Sequence, residues 1–533
     1  MTSTPPLPEP ADVALPRRTV YVIFAALLAA MFLSSLDQSV VGTALPTIVG
    51  DLDAVAHEGW IITAYLLAIA VVMPVYGKVG DLYGRRIPFL IAISLFIVGS
   101  TGSALSGSFL ELVTWRSVQG LGAGGLVILS QAIIADIVSA RERGKFMGPM
   151  GAVFGVATVA GPLLGGWFTT GPGWRWVFWT NVPIGILALT IAFFALKLPA
   201  RRPSKRFDLW GAILLAATTA GIVFLTSWTS VTGATHYDWS SPGLLATLAA
   251  TVAAFAAFLL VETRVEDPVL PLDLFRSRTF SVSVLIALVL GMTMFAALSF
   301  LPTFLQMAQG VGPTESGLLM LPMTLGVLLT AIASGLLITR TGKYKIYPII
   351  GMGLSTIGIV WLTFITANMS MVVFGAMVFT LGLGMGLVMQ TIVIAAQNAV
   401  APERVGVATS TNNFLREIGA AVGTSVFATA FTANLTTQID DAVKSAPAGS
   451  VPDGFGAGSL TPDAVAKLPS ALHDAIVDAY ANALAPAFWY LVPLSVLGFI
   501  VAFFMREVTL SKTAGLVAAA RDGAQYAGSG SAG

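Results

Sequence analysis

Gly77-Lys78-Val79-Gly80-Asp81-Leu82-Tyr83-Gly84-Arg85-Arg86 is a dense cluster of glycines and charges between two apolar runs, 58–78 and 87–107. Each run has the roughly 20 residues that a helix needs to cross the hydrocarbon core of a bilayer. The cluster therefore reads as a short turn at a membrane surface. Its glycines permit a tight turn and close approach of helices. Asp81 is placed to pair with a neighbouring helix end, and Arg85 and Arg86 to hold carboxylates or lipid phosphates. Such contacts latch one conformation and break in another. The plainer reading of the same residues is an ordinary basic turn on the cytoplasmic side.

Composition agrees with a membrane setting. The chain of 533 residues is 56% hydrophobic and 10% charged, with a mean hydropathy of +0.84. Soluble domains carry roughly 25% charged residues. A net charge of +1 argues against nucleic-acid partners, which demand a basic surplus. There is no Cys, and the three His residues (His57, His236, His473) are far apart. Disulfides, thiol catalysis and structural zinc are therefore not expected.

Working outward, apolar runs fall at 19–46, 58–78, 87–107, 109–135, 145–168, 175–197, 208–228, 242–262, 279–305, 316–339, 345–366, 370–396, 405–433 and 485–506. Fourteen crossings put both termini on one side. With that side cytoplasmic, loops on the outside hold only Arg175, Lys444 and Lys467 among the basic residues, as the positive-inside rule requires. The expected organisation is a cytoplasmic tail 1–18, a six-helix bundle 19–200, two inserted helices within 201–278, a second bundle 279–508 and a cytoplasmic tail 509–533. The second bundle carries an outside loop 434–480. The first part of that loop is rich in Gly, Pro, Ser and Ala and reads as irregular. Its end carries Leu468, Leu472, Ile476 and Val477 at helical spacing.

A weak internal repeat supports two bundles. Gly77, Asp81, Gly84 and Arg85 are matched in spacing by Gly335, Thr339, Gly342 and Lys343. Duplicated bundles are a mark of transporters that bind substrate between their halves, near the midplane.

Several polar residues lie inside apolar runs. Asp37 sits deep in the first, where a charge costs about 2.5–3.5 kcal/mol on insertion scales. Such a carboxyl suits uptake and release of a proton, though Asp37 also suits the outer headgroup region. Arg116 lies within the fourth run and needs a partner. Asp37 serves if the two helices face each other, and Glu111 is the local alternative. Arg416 and Glu417 are adjacent and do not share a helix face, which favours a structural or gating role. The fifth run reads Gly148, Gly151, Gly155, Gly161-Pro162-Leu163-Leu164-Gly165-Gly166. Pro162 predicts a kink, and the small residues predict close helix packing. Gln38, Trp60, Tyr65, Met292, Phe295, Gln397 and Asn398 are candidates to line a substrate cavity, since Met and aromatics suit adaptable apolar binding. Trp174, Trp176 and Trp179 read as interfacial anchors.

These motifs together resemble the major facilitator superfamily, and within it the fourteen-helix drug:proton antiporters. Gly77-x-x-Gly80-Asp81-x-x-Gly84-Arg85-Arg86 is similar to the family's loop between helices 2 and 3. Arg116-x-x-Gln119-Gly120-x-Gly122 is similar to its helix 4 motif, and Gly155 to Gly166 to the helix 5 motif of its exporters. Leu36-Asp37-x-x-Val40-Val41-x-x-Ala44-Leu45-Pro46 and Trp174-Arg175-Trp176-Val177-Phe178-x-x-Asn181-Val182-Pro183 resemble signatures of the fourteen-helix branch. Gly42 and Ser39 depart from that branch, which usually has Asn and often Thr there.

The resemblance implies an all-α integral membrane protein of the plasma (inner) membrane, without enzymatic activity. It implies a proton-coupled exporter of hydrophobic or amphipathic small molecules that works by alternating access. Asp37 and Arg116 would couple to protons. Gly77, Gly80, Asp81, Gly84, Arg85 and Arg86 would form a latch, and Gly155, Gly161, Pro162, Gly165 and Gly166 the exporter kink. Protons are the only coupling agent expected, with no cofactor or metal, and the protein is expected to be a monomer among membrane lipids. An exporter or flippase of lipids or lipid conjugates is the alternative on the same fold.

Overall fold

The computed structural model describes residues 16–52, 59–198, 206–232, 240–445, 465, 468–508 and 510. The N-terminal tail to residue 15, most of the expected irregular loop and the Gly/Ser-rich tail lie outside the described residues.

Fourteen helices account for the expected crossings. They are α1 (Arg17–Asp51), α2 (Gly59–Tyr83), α3 (Arg86–Leu105), α4 (Phe109–Ile137), α5 (Arg143–Thr170) and α6 (Trp176–Ala195). Then come α7 (Leu209–Thr226), α8 (Pro242–Glu262), α9 (Arg278–Gln309) and α10 (Thr314–Thr341). The last are α11 (Ile346–Leu362), α12 (Met371–Asn398), α13 (Val405–Ser445) and α14 (Leu472–Phe503). Among the described residues, thirteen are long and apolar enough to span a bilayer unaided, and α11 is shorter. Helices prevail because a bilayer core offers no water to backbone amides and carbonyls, so each segment must satisfy its own.

Boundaries differ from the sequence expectation at two places. α1 continues through Pro46 to Asp51. More notably, α13 runs to Ser445, so residues 434–445 of the expected loop 434–480 are helical. The reason is that Leu435 and Ile439 continue the apolar stripe of α13 and are buried in one cluster with Leu472, Ile476, Val477 and Tyr480. The end of that expected loop is likewise helical, from Ser470 onward.

α1 packs on α4, α5 and α6, and α2 on α4; α9 packs on α13 and α14, and α10 on α12. α4 is almost wholly buried, whereas α8 shows most of its surface outward. Two seams join these groups: α5 against α10, and α2 against α13. Both rely on missing side chains. A Cβ on Gly144 would lie 2.4 Å from the Gly335 carbonyl oxygen, and one on Gly335 would lie 2.2 Å from that of Gly144. At the other seam a Cβ on Gly77 would lie 2.8 Å from the Gly406 carbonyl oxygen, and one on Gly406 2.6 Å from that of Gly77. Close backbone approach of this kind replaces the hydrophobic drive that helices lack in lipid. α7 and α8 pack on each other, and α7 rests on α2 and α13.

The repeat seen in the sequence has a conformational counterpart. Gly84 and Gly342 both end a helix in the left-handed region, at φ 87° and 73°, where a side chain is strained.

Substituting Gly335→Leu should overpack the α5–α10 seam, at a typical cost of about 1–3 kcal/mol. The expected result is a lower Tm of the detergent-solubilised protein, read by intrinsic fluorescence. Leu substituted for Gly50, whose Cβ would meet nothing within 4 Å, should leave Tm unchanged.

Candidate functional site

The first site is a sealed carboxylate. Asp37 lies 1% exposed on α1, and Arg116 of α4, also 1% exposed, donates to its Oδ2. Gln119 Nε2 and Asn181 Nδ2 each donate to Asp37 Oδ1 at 2.8 Å. Asn181 Nδ2 also reaches Ser100 Oγ at 3.1 Å. Gln119 Oε1 accepts from Arg116 Nη1 at 2.8 Å, so the amide both steers the guanidinium and binds the carboxylate. The Arg116 guanidinium carbon stands 3.9 Å from the centre of the Tyr65 ring, and Tyr65 donates to the Ser34 carbonyl of α1 at 3.1 Å. α1, α2, α4 and α6 thus meet at one charge. Removing one partner of such a buried pair costs about 3–5 kcal/mol.

The sequence offered Asp37 or Glu111 as the partner of Arg116, and the structure pairs Arg116 with Asp37. Gln119 and Asn181 went unassigned. Gln119 carried a signal, standing three residues after Arg116 and so on the same helix face. Asn181 belongs to a different helix, and no spacing relates it to Asp37. Tyr65, a candidate cavity residue, is instead fully buried as the platform under Arg116.

The second site is a pair of helix-end contacts. Asp81 Oδ1 and Oδ2 accept from the backbone amides of Gly406 and Val407, at 2.9 and 2.8 Å. These amides open α13 and have no partner within their own helix. An acid there also complements the positive end of the helix dipole. Arg85 holds Asp81 in place through Nη2 at 3.0 Å and reaches Asp136 of α4 at 3.0 Å. Arg85 also donates to the Ala132 carbonyl. Arg86 donates to the Phe193 carbonyl of α6 at 3.0 Å. Gly80 approaches Leu129, to which a Cβ would come within 3.0 Å.

At the other seam the polarity is reversed. Arg141, in the turn between α4 and α5, donates through Nε to the Thr339 carbonyl at 2.8 Å and through Nη2 to the Arg340 carbonyl. A cation therefore caps the negative end of α10, where an anion caps the positive end of α13. Thr339 stands in the repeat where Asp81 stands, but it contributes a backbone oxygen to this contact.

The fifth helix touches both groups of helices. Gly161 and Gly165 face Ser39, Val40 and Thr43 of α1, while Gly155, Pro162 and Gly166 face Thr324, Gly317 and Thr314 of α10. Thr324 Oγ1 donates to the Gly155 carbonyl at 3.1 Å.

The third site is a cavity of about 870 Å³. Its lining includes Gln38 and Phe295 among the seven candidates, together with Ile62, Thr63, Leu66, Glu417 and Thr424. The other five candidates are placed elsewhere. Trp60 bonds the Val231 carbonyl at 3.2 Å and packs edge-on against Phe224. Met292 packs its backbone on Gly423. Gln397 bonds Thr409 Oγ1 at 2.9 Å, and Asn398 closes α12. Below the cavity a buried amide cluster joins the seam: Asn413 donates to Gln131 Oε1 at 2.8 Å, and Gln131 to Gln390 Oε1 at 3.5 Å. Glu417 stands one turn beyond Asn413 and 3.4 Å from Arg416.

The cavity therefore occupies only part of the length of the α2–α13 seam. Val407 to Glu417 is ten residues, about 15 Å of shut seam at 1.5 Å per residue. From Glu417 to Thr437, α13 faces the cavity.

Comparisons agree with this architecture. Residues 27–424 match the model of the Major Facilitator Superfamily. An uncharacterised MFS-type transporter of Mycobacterium tuberculosis is 38% identical over 92% of this chain and 70% of its own. The multidrug transporter protein MdtP of Bacillus subtilis is 32% identical over 92% of this chain and 94% of its own. Among solved structures, the human organic anion transporter MFSD10 aligns with a TM-score of 0.58 at 17% identity, covering 92% of this chain and 100% of that one.

Asp81→Asn should weaken transport at least tenfold, because its amide nitrogen cannot accept from the α13 amides. Thr339→Ala should change transport less than twofold, since Arg141 holds the backbone there. Arg141→Ala should resemble Asp81→Asn. Initial dye-efflux rates at matched membrane levels separate these outcomes, and equal losses for Asp81→Asn and Thr339→Ala would overturn the assignment.

Proposed function

The chain belongs to the major facilitator superfamily, a family of transporters and not of enzymes, and we propose that it is a proton-coupled exporter of hydrophobic or amphipathic small molecules. The efflux part of this reading is supported by relatives named for multidrug transport. The observation that carries proton coupling is the sealed Asp37 with its three donors from two other helices.

Protonation of Asp37 removes the charge that Arg116, Gln119 and Asn181 are arranged to bind. Arg116 then loses its counterion while remaining on Tyr65. Tyr65 belongs to α2, and its neighbours Ile62, Thr63 and Leu66 line the cavity. Gln38, the residue after Asp37, lines the cavity too. The proton and the substrate thus act on the same two helices, at neighbouring positions. A ligand shifts such an equilibrium only through unequal affinity for the two states. Asp37 therefore binds its proton tightly in one state, with the cavity open outward, and releases it to the cytoplasm in the other. Asp81 and Arg141 hold the cytoplasmic end shut while the cavity is open. The transporter works as a monomer in the plasma membrane, with the proton as its only coupling agent and with substrate and surrounding lipid as partners. A lipid cargo has no observation in its favour, and α7 stands on the flank by which a lipid would enter.

In proteoliposomes with an imposed pH gradient, the wild type should move ethidium and rhodamine 6G uphill. Asp37→Asn should lose uphill movement at least tenfold yet still bind dye, as read by fluorescence polarisation. Uphill transport that survives this substitution would falsify the proton role. Glu417 is the one ionisable residue on the described lining. Glu417→Gln should raise the KM for cationic ethidium about tenfold, a loss of about 1.4 kcal/mol, and leave a neutral substrate unaffected.

A further inference from the structure

The inserted helices α7 and α8 have no part in the two-bundle mechanism, yet their position is not peripheral. Val223, Thr226 and Ser227, at the end of α7, line the cavity beside Thr63, Leu66 and Ala70 of α2 and Ala421 of α13. The α5–α10 seam is closed along its length, from Gly144 on Gly335 through Gly155 near Thr324 to Gly166 beside Thr314. The α2–α13 seam closes only at the Asp81 end. The cavity accordingly lies toward one flank, and α7 stands on that flank.

We propose that α7 is a fixed wall of the substrate cavity, so that the inserted hairpin selects which hydrophobic or amphipathic molecules fit and separates them from lipid. Three contacts fix the wall to α2. Trp60 Nε1 bonds the Val231 carbonyl at 3.2 Å, and its ring lies 5.5 Å from that of Phe224. At the other end Lys78 pairs with Asp267 at 2.6 Å, in the segment after α8. Between them, Val75 of α2 packs into an apolar cluster with Ala212, Leu215 and Phe258 of the hairpin.

On the α13 side, Phe414 and Ile418 join the same apolar cluster. Within the hairpin, a Cβ on Gly221 would lie 2.0 Å from Thr251 Oγ1. This contact couples α7 rigidly to α8, whose Val252 and Phe255 are exposed on the outer surface. One face of the hairpin thus meets lipid and the other meets the cavity.

This inference rests on the exporter reading for its ligand, but the position of the wall is testable without one. The chain contains no Cys, so single cysteines report cleanly. In proteoliposomes, Thr226→Cys should react with a membrane-impermeant maleimide, while Val252→Cys, on the lipid face of α8, should react at least tenfold more slowly. Ethidium should slow labelling of the first and not of the second. Val223→Trp should reduce transport of bulky rhodamine 6G several-fold more than that of ethidium. A Thr226→Cys variant that folds, by size-exclusion profile, but labels as slowly as Val252→Cys would overturn the wall. Labelling that ethidium does not slow, with an unchanged dye ratio in Val223→Trp, would overturn substrate contact. If Thr226→Cys labels as expected but the wild type moves neither dye, the exporter reading fails and the wall stands.

Discussion

α13 begins inside the protein, and its first backbone amides need acceptors where little water reaches. Asp81 supplies them from α2, more than three hundred residues away in the chain. An amide left bare in such a place costs several kcal/mol, so the helix start and the carboxylate belong together. The rest of the closed end follows from that pairing. Arg85 must hold the carboxylate, Gly77 and Gly406 must let the helices touch, and Gly84 must turn the chain so that α3 starts beside them. Because the contact joins two groups of helices and comprises only a few polar bonds, it can be broken as a unit.

The opposite seam reaches the same end by the inverse charge. Arg141 caps the carbonyl end of α10 where Asp81 caps the amide end of α13. The two contacts sit at the same end of the bundle, on either side of the amide cluster around Gln131 and Asn413. They use the two signs of the helix dipole in turn. The asymmetry lies further along. Small residues keep α5 on α10 at several levels, whereas α2 and α13 part above Glu417 and leave room for a cavity flanked by α7.

Much of this was legible in the chain. Length and apolarity marked the crossings, since a helix in lipid must be long and apolar whatever surrounds it. The glycine spacing in Gly77–Arg86 and Gly335–Lys343 marked paired turns, and both turns do end in a left-handed glycine. Asp37 and Arg116 stood out because a lone charge in an apolar run demands a partner. The cavity list fared differently: Gln38 and Phe295 line the cavity, while Tyr65 carries Arg116 and Trp60 carries the hairpin. Aromatic and amide side chains serve packing, anchoring and binding alike, and the side they face depends on helix rotation, which weak periodicity does not set.

By itself the sequence determined the number of crossings, the membrane setting and the charged positions that must find partners, because these depend on local hydropathy and on the cost of an unpaired charge. Only the tertiary structure decided which partners they found. Asn181 on Asp37, Asp81 on the amides of α13 and Arg141 on the end of α10 all join residues remote in the chain. Those pairings arise from the rotation and depth at which close-packed helices settle against each other, and no local pattern encodes either.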